Sequence, residues 1–375
     1  MSIVDPATPA RLPLSAALPF WLSLILVPMT VAGAVLGSWW IALIPLWVWV
    51  LMPLLDGAMG LSGDDLSPDT PDGALHWYRV ITLIWAPLQG AMILLCLAAT
   101  FWLSPAEQIW LFVALGSVTG GIGITYAHEL IHQTNRRERA LGDFLLTSVL
   151  YGHFRSEHLL VHHIHVATPR DPVTARAGEG FWRFFPRVLT QQPVSSWAVE
   201  TDRLRRRGRS IWSSGNPFWI YGLGALAWLA LAWSIAGWAG VGLFLVQAFV
   251  AIAHLEVVNY IEHYGLTRRK LDNGRYEPVR PHHSWNANHK VSNWMLINLQ
   301  RHSDHHYKPA RRFPLLQSYD PDTAPQLPFG YPLMMILALV PPAWRRVMRP
   351  RLAEWRARHY PDIAHWSDMP EARPV

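Results

Sequence analysis

Histidine is concentrated in four short segments of the chain, at spacings that suit a metal site. The segments read HELIH, EHLLVHH, NYIEHYG and LQRHSDHH, at residues 128–132, 157–163, 259–265 and 299–306. His128 and His132 are four residues apart and therefore lie on one face of a helix. His158 and His162 repeat this spacing. The segments thus predict metal ligands that are carried by helices.

The adjacent pairs His162–His163 and His305–His306 indicate more than one metal ion. Neighbouring residues on a helix point about 100° apart, so one member of each pair can face a second ion. The clustered histidines exceed what one transition metal binds, and two ions are the simplest interpretation. The nine candidate ligands are His128, His132, His158, His162, His163, His263, His302, His305 and His306. Imidazole suits iron, zinc, copper or nickel, and the single cysteine, Cys96, rules out a thiolate site within this chain.

Four carboxylates stand next to or between these histidines, namely those of Glu129, Glu157, Glu262 and Asp304. Imidazole is neutral, so two divalent ions would leave a large positive charge at the site. Carboxylates behind the ligands would offset this charge and orient the rings. The alternative is that these four residues are ordinary solvated or salt-bridged charges.

The HELIH segment by itself permits two other interpretations. It satisfies H-E-x-x-H, the zinc protease pattern in which the glutamate activates metal-bound water. A protease site needs one further ligand and would leave three histidine segments without a role, so we disfavour it. Glu129 and His132 also form an E-x-x-H, but carboxylate-bridged di-iron bundles need two copies of this pattern and the sequence contains one.

The elements that must position these residues are membrane helices. Hydrophobic residues make up 51% of the chain and charged residues only 15%, against about a quarter in soluble proteins. Several uncharged runs reach the roughly 20 residues that cross a bilayer. We predict an all-α integral membrane protein with six transmembrane helices in three hairpins, at residues 18–36, 39–55, 80–103, 108–127, 217–236 and 239–258. Turns are expected near Gly37, Ser104 and Gly237.

The distribution of arginine predicts the orientation. Arginine is abundant in the long segments 128–209 and 264–375 and absent from the short turns, which places the long segments in the cytoplasm. Both termini then lie inside, and every histidine segment falls at or beyond the cytoplasmic end of a span. We expect residues 1–375 to form one domain whose helical cytoplasmic cap carries a dimetal site. A histidine-rich membrane metal carrier would instead place its ligands near the middle of the spans.

Small and isolated residues of the helices are interpreted mainly as packing residues. Four glycines of the fourth span favour close helix packing over a slot beside the metals; they are Gly116, Gly120, Gly121 and Gly123. Five isolated histidines are expected to be packed or hydrogen-bonded, namely His76, His153, His254, His359 and His365. Val48 and Trp49 of the second span are bulky enough to cap a channel.

The amino-acid sequences of the motifs resemble those of one family of integral-membrane di-iron enzymes, the alkane 1-monooxygenases. HELIH, EHLLVHH followed by ATPRDP, NYIEHYGL, PHHSWN and LQRHSDHH are similar to that family in order and spacing. The resemblance extends from about the first span to beyond Pro332. Fatty-acid desaturases share the histidine segments but not the residue sequences NYIEHYG and LQRHSDHH. One departure is His165, which stands where an aspartate is expected.

The resemblance implies an activity and its cofactor. It implies two iron ions bound by the nine histidines, and the hydroxylation of the terminal methyl of medium-chain linear alkanes with dioxygen, in a bacterial inner membrane. His165 is then either a substitute for a residue that orients a ligand, which we favour, or a tenth ligand candidate. A fatty-acyl or aromatic-methyl hydroxylase or desaturase of the same di-iron class is the alternative.

Electrons must reach such a site from another protein. An iron–sulfur or rubredoxin-type centre needs four thiolates, which one cysteine cannot supply. The resemblance implies a rubredoxin fed by a reductase that uses NAD(P)H. Candidate docking residues for an acidic donor are Arg136, Arg137, Arg139, Arg205, Arg206 and Arg207. These arginines are equally explained by membrane topology and anionic lipid, and no nucleic-acid partner is expected.

Overall fold

A computed structural model describes residues 11–363 and residue 366. Within these residues the chain is helical, and β-pairing is limited to isolated bridges such as that between Leu61 and His289. The predicted all-helical class is therefore confirmed. The prediction for His365, and the end of the predicted cytoplasmic segment 264–375, lie outside the described residues.

The helices that correspond to the predicted spans have ends that differ from the prediction by up to eight residues. The first four are α1 Leu14–Leu36, α2 Ser38–Met59, α3 Asp72–Phe101 and α4 Pro105–Ile131. Next come α5 Arg136–Thr147, α6 (residues 154–165), α7 Phe181–Arg206 and α8 Phe218–His263. The last four are α9 Lys290–Met295, α10 His302–Tyr307, α11 Tyr331–Ala338 and α12 Pro341–His359. Among the described residues, five helices are long and apolar enough to cross a membrane, namely α1 to α4 and α8.

Helix α8 contains a reversal rather than one straight rod. Ala236 and Gly237 have non-helical backbone angles, and Gly237 has a φ of 60°, which glycine adopts without strain. The rings of Trp228 and Phe244 stack with their centroids 6.1 Å apart. In a straight helix these residues would lie about 24 Å apart along the axis. The chain therefore folds back on itself at Gly237.

The turn before α4 is fixed by a carboxylate. Ser104 is the residue that caps α4, Pro105 begins the helix, and Glu107 completes a capping box with Ser104. The other oxygen of Glu107 accepts a hydrogen bond of 2.8 Å from the backbone nitrogen of Ser38. One side chain thus connects the turn between α1 and α2 with the turn between α3 and α4.

The glycines of α4 divide between packing and open space. A Cβ on Gly116 would lie 2.6 Å from Val250, and one on Gly120 would lie 2.7 Å from the Ala251 backbone. Both glycines therefore permit α4 and α8 to approach closely. Gly121 has open space where its Cβ would be, and with Gly120 it lines an apolar cavity. A Cβ on Gly123 would collide with the side chain of Gln89. Packing is therefore confirmed for three of these glycines, while Gly121 belongs to a cavity wall.

Matched alanine substitutions test this division. We expect Gly120→Ala to lower the free energy of unfolding by about 1–3 kcal/mol, because the new methyl group meets backbone atoms of α8. Gly121→Ala should be neutral or slightly stabilising, because alanine is the better helix former and its methyl meets open space. Thermal unfolding in detergent measures both variants. Equal melting temperatures for the two would contradict this packing account.

Candidate dimetal centre

The structure brings the nine clustered histidines together in two groups. The first group holds His128, His132, His158, His163 and His305, and the second holds His162, His263, His302 and His306. Within each group, one ring nitrogen from every histidine lies within 4.8 Å of all the others. Residues from distant parts of the chain therefore form two adjoining sets of nitrogen donors.

The distances between ring nitrogens fit a shell of ligands around one ion. In the first group, the Nε2 atom of His158 lies 2.9 Å from that of His132 and 3.0 Å from that of His163. In the second, the Nε2 atom of His302 lies 3.2 Å from that of His263 and 3.0 Å from that of His306. Two nitrogens that each bind one ion at about 2.1 Å, about 90° apart, are about 3.0 Å from each other. The donor sets therefore fit two ions.

Four helices supply the two groups, and adjacent histidines are divided between them. His162 belongs to the second group and His163 to the first, while His305 and His306 divide in the opposite order. Residues His158–His162 form a π-helical turn, which is wider than an α-helical turn. Because of this wider turn, His158 shares a group with His163, five residues on, rather than with His162.

Burial keeps the rings in the form that binds metals. Burial lowers the pKa of His132 to about 3, and the electrostatic interaction with the neighbouring His162 acts in the same direction. Burial likewise holds the pKa values well below the usual range for five further rings, those of His158, His163, His302, His305 and His306. Neutral imidazoles have a free nitrogen lone pair, which a metal ion requires.

Asp171 contacts a ring of the second group, although its position in the sequence does not mark it as a candidate. Its Oδ2 atom lies 2.9 Å from Nδ1 of His162, on the side of the ring opposite the other histidines. Thr174 donates a hydrogen bond of 2.7 Å to the same oxygen, and the Val173 backbone donates to Oδ1. Asp171 lies in the ATPRDP segment, but no helical spacing relates it to His162. Asp171 lies in the loop between α6 and α7, and the sequence of a loop does not show which side chains it contacts.

Two of the four predicted carboxylates lie at or near the histidines. An oxygen of Glu262 is 3.3 Å from Nε2 of His302, and its other oxygen accepts a hydrogen bond of 2.8 Å from the Tyr331 hydroxyl. Glu157 is fully buried, and neither of its oxygens has a hydrogen-bond partner among the described residues. Burial, followed by repulsion from Asp171, raises the pKa of Glu157 well above its usual range.

The other two carboxylates bond elsewhere. Glu129 accepts hydrogen bonds from the side chain of Gln133 and the backbone of Phe313. Both partners lie outside the nine clustered histidines. Asp304 forms an ion pair with Arg311 and accepts a hydrogen bond from Tyr319.

The remaining candidates lie around the centre rather than in it. His165 is in neither group of histidines; it lines a basic pocket with Arg170, Arg268 and Arg275. Arg139 donates a hydrogen bond to the carbonyl of Gln133, next to His132. The other predicted docking residues, Arg136, Arg137, Arg205, Arg206 and Arg207, are exposed. None of these arginines belongs to the donor sets.

An apolar cavity leads from the histidines into the candidate membrane helices. At one end it is lined by His128, His158 and His302, which come from both groups. Its walls continue along Val48 and Met52 of α2 and along the glycines of α4. The predicted role of Val48 at a channel agrees with this position. Trp49 instead packs against the ring of His254, with centroids 5.3 Å apart.

Comparisons with known proteins give one consistent result. A family model described as fatty acid desaturase matches residues 107–338. Alkane 1-monooxygenase 2 of Pseudomonas aeruginosa is 39% identical over 359 residues, which cover 90% of this chain and 92% of that protein. Alkane 1-monooxygenase 1 of the same organism is 38% identical and covers 89% of each chain. The xylene/toluene monooxygenase hydroxylase component of Pseudomonas putida is 27% identical over 68% of this chain. The resemblance seen in the motifs is thereby confirmed.

Substitution of Asp171 tests its role behind His162. We expect Asp171→Asn to weaken binding of iron to the second group by about 10- to 100-fold, because the amide holds the ring less well than the carboxylate does. Competition with a chelator, followed by metal analysis, measures the affinity.

A second buried aspartate provides the control. Asp143 pairs with Arg155 and touches none of the nine histidines. Asp143→Asn should therefore keep the wild-type affinity for iron. If both variants bind iron equally well, the Asp171 contact has no role in metal binding.

Proposed function

Because this chain belongs to the fatty acid desaturase family and, within it, to the alkane 1-monooxygenases, we propose that it is a membrane monooxygenase of alkanes. It hydroxylates the terminal methyl of medium-chain linear alkanes to primary alcohols, using dioxygen and two electrons. The observation that carries this proposal is the apolar cavity that ends at histidines of both groups. An alkane has no polar group, so only shape and burial in such a cavity can position it.

The proposed cofactor is a pair of iron ions. The five histidines of the first group and the four of the second would each hold one ion, with Asp171 fixing the ring of His162. Imidazole-only donor sets suit iron. Bound iron supplies the dioxygen chemistry that an unreactive C–H bond requires.

The chain's own contribution is position and the exclusion of water. The cavity walls hold the alkane end-on, so that its methyl group meets the histidine end first. There Glu262 and Tyr331 form the polar pair nearest the reacting carbon, with the Tyr331 proton held at an oxygen of Glu262. We propose that Tyr331 holds Glu262 in place, with an oxygen of Glu262 3.3 Å from the Nε2 donor of His302 and therefore on the metal side of that ring.

The topology that we propose has six spans in the bacterial inner membrane. The reversal at Gly237 would divide α8 into two spans and add a third hairpin to the two formed by α1 to α4. His128 and His263 then lie near the ends of α4 and α8, next to the arginine-rich segments. The excess of arginine there favours the cytoplasmic side. Alkanes dissolved in the bilayer would enter the cavity laterally between helices.

The proposed electron donor is a rubredoxin-type protein served by an NAD(P)H-dependent reductase. A small acidic carrier would be steered by the basic surfaces that flank the histidine segments. These surfaces comprise the arginines at residues 136–139 and 205–207, and the pocket of His165, Arg170 and Arg275. One residue of this pocket, His165, follows the candidate ligand His163 by two positions in the sequence. We therefore add the pocket to the docking candidates.

An assay on the purified protein tests the proposed activity. Protein loaded with iron and supplied with reduced rubredoxin should convert octane to 1-octanol, detected by gas chromatography. Octanoyl chains and toluene run in parallel separate the alkane activity from acyl and aromatic-methyl activities. Turnover of either alternative with no alcohol from octane would contradict the proposal.

Salt dependence tests the docking surfaces. We expect replacement of Arg205, Arg206 and Arg207 by Gln to raise the KM for the donor about three- to tenfold at low salt, because exposed charges steer association most strongly there. The variant and the wild type should converge at high salt, and the KM for octane should not change. Arg170→Gln with Arg275→Gln provides the same test for the pocket. An unchanged KM for the donor at low salt would remove that surface from docking.

A further inference from the structure

The apolar cavity is lined by a histidine that has no role in the proposed alkane hydroxylation. His254 lies on α8 and lines the cavity, four and eight residues before Val258 and Glu262, which line the same wall. Positions four apart on a helix share a face. His254, Val258 and Glu262 therefore mark one stripe that runs from the interior of the candidate membrane helices to the metal centre.

The ring of His254 has a defined direction of hydrogen bonding. Its Nδ1 atom lies 3.0 Å from the carbonyl oxygen of Val250. A carbonyl can only accept, so Nδ1 carries the proton, and in the neutral ring Nε2 is left as an acceptor. Nε2 is buried and has no partner among the described residues. A buried acceptor without a donor is costly, so it favours a donor supplied by a ligand.

The other polar side chains away from the metal end of the wall are already paired. The hydroxyl of Ser117 donates to the carbonyl of Val113, and the hydroxyl of Thr125 donates to that of Gly121. The amide of Asn259 donates to Glu256. Of the cavity-lining residues away from the metal centre, His254 is thus the one whose buried side-chain polar atom lacks a partner.

The distance between His254 and Glu262, the two ends of the stripe, indicates the length of the substrate hydrocarbon that would fit. Eight residues of helix separate His254 from Glu262, which corresponds to about 12 Å along the axis. An extended hydrocarbon with bonds of about 1.5 Å advances about 1.25 Å per bond. A chain of about eight to ten carbons can therefore reach from the metal centre to His254.

We propose that His254 accepts a hydrogen bond from a hydroxyl at the far end of the substrate, so that the enzyme also hydroxylates medium-chain primary alcohols at their methyl end. The product is an α,ω-diol. One C–H bond of the methyl group is replaced by a C–O bond to one atom of dioxygen; the other atom leaves as water, with two electrons from the donor and two protons. This inference rests on the proposed alkane hydroxylation and extends it to a second substrate class.

Two isomeric substrates test the role of the hydroxyl. One is 1-nonanol, and the other is 1-methoxyoctane, whose oxygen cannot donate a hydrogen bond. The wild type should convert 1-nonanol to 1,9-nonanediol. In His254→Leu, the ratio of kcat/KM for 1-nonanol to that for 1-methoxyoctane should fall about five- to tenfold, the value of one hydrogen bond. His254→Gln, whose side-chain oxygen can accept, should recover part of the ratio.

His153 provides a matched control. It is also a histidine whose Nε2 is buried and unpartnered among the described residues, but it does not line the cavity. His153→Leu should leave the ratio at its wild-type value, and iron content should be equal in all variants compared.

Three outcomes would overturn the inference. An unchanged ratio in His254→Leu would make His254 a packing residue. Conversion of nonane to 1-nonanol without any diol from 1-nonanol would reject the second activity and leave the first intact. Failure to convert either nonane or 1-nonanol, with iron fully bound, would reject the proposed function and this inference together.

Discussion

The convergence of nine imidazoles in a buried space is the constraint on which the rest of the structure depends. Ring nitrogens 2.9–3.2 Å apart in the interior of a protein have few uses other than binding metal ions. Burial removes water from these rings, lowers their pKa values and leaves neutral donors at physiological pH. The same burial makes the site favourable for a substrate that water would exclude. Metal binding and alkane binding thus share one physical cause.

The helices meet this constraint by close approach and local distortion. Gly116 and Gly120 permit α4 to pack tightly on α8, which brings HELIH beside the end of α8 that carries His263. The π-helical turn at His158–His162 then directs adjacent histidines toward different groups. A turn of this type is frequent at functional sites because it redirects side chains within a continuous helix. The irregular turn therefore lies at the segment that supplies three of the nine candidate ligands.

Residue type and local spacing could predict the ligand candidates and the helical class, because both follow from short segments of sequence. Contacts that depend on tertiary structure could not be predicted. Asp171 reaches His162 from a loop, whereas Glu129 stands between two histidines in the sequence and accepts a hydrogen bond from the Phe313 backbone. His254 is hydrogen-bonded, as expected for an isolated histidine, but sequence cannot show that its other nitrogen is unpaired or that it lines a cavity. Adjacency in sequence is a poor guide to which carboxylate supports a ligand.

The most direct test of two metal sites is to measure the iron content of the purified wild-type protein and of a variant that lacks one histidine of the second group. Wild-type protein reconstituted with iron should contain two iron ions per chain, one for each group of histidines. His263→Ala removes a donor from the second group alone and should lower the content toward one, while His153→Leu should retain two. A wild-type content of one ion, or two ions held with unchanged affinity by His263→Ala, would contradict the division of the nine histidines into two metal sites.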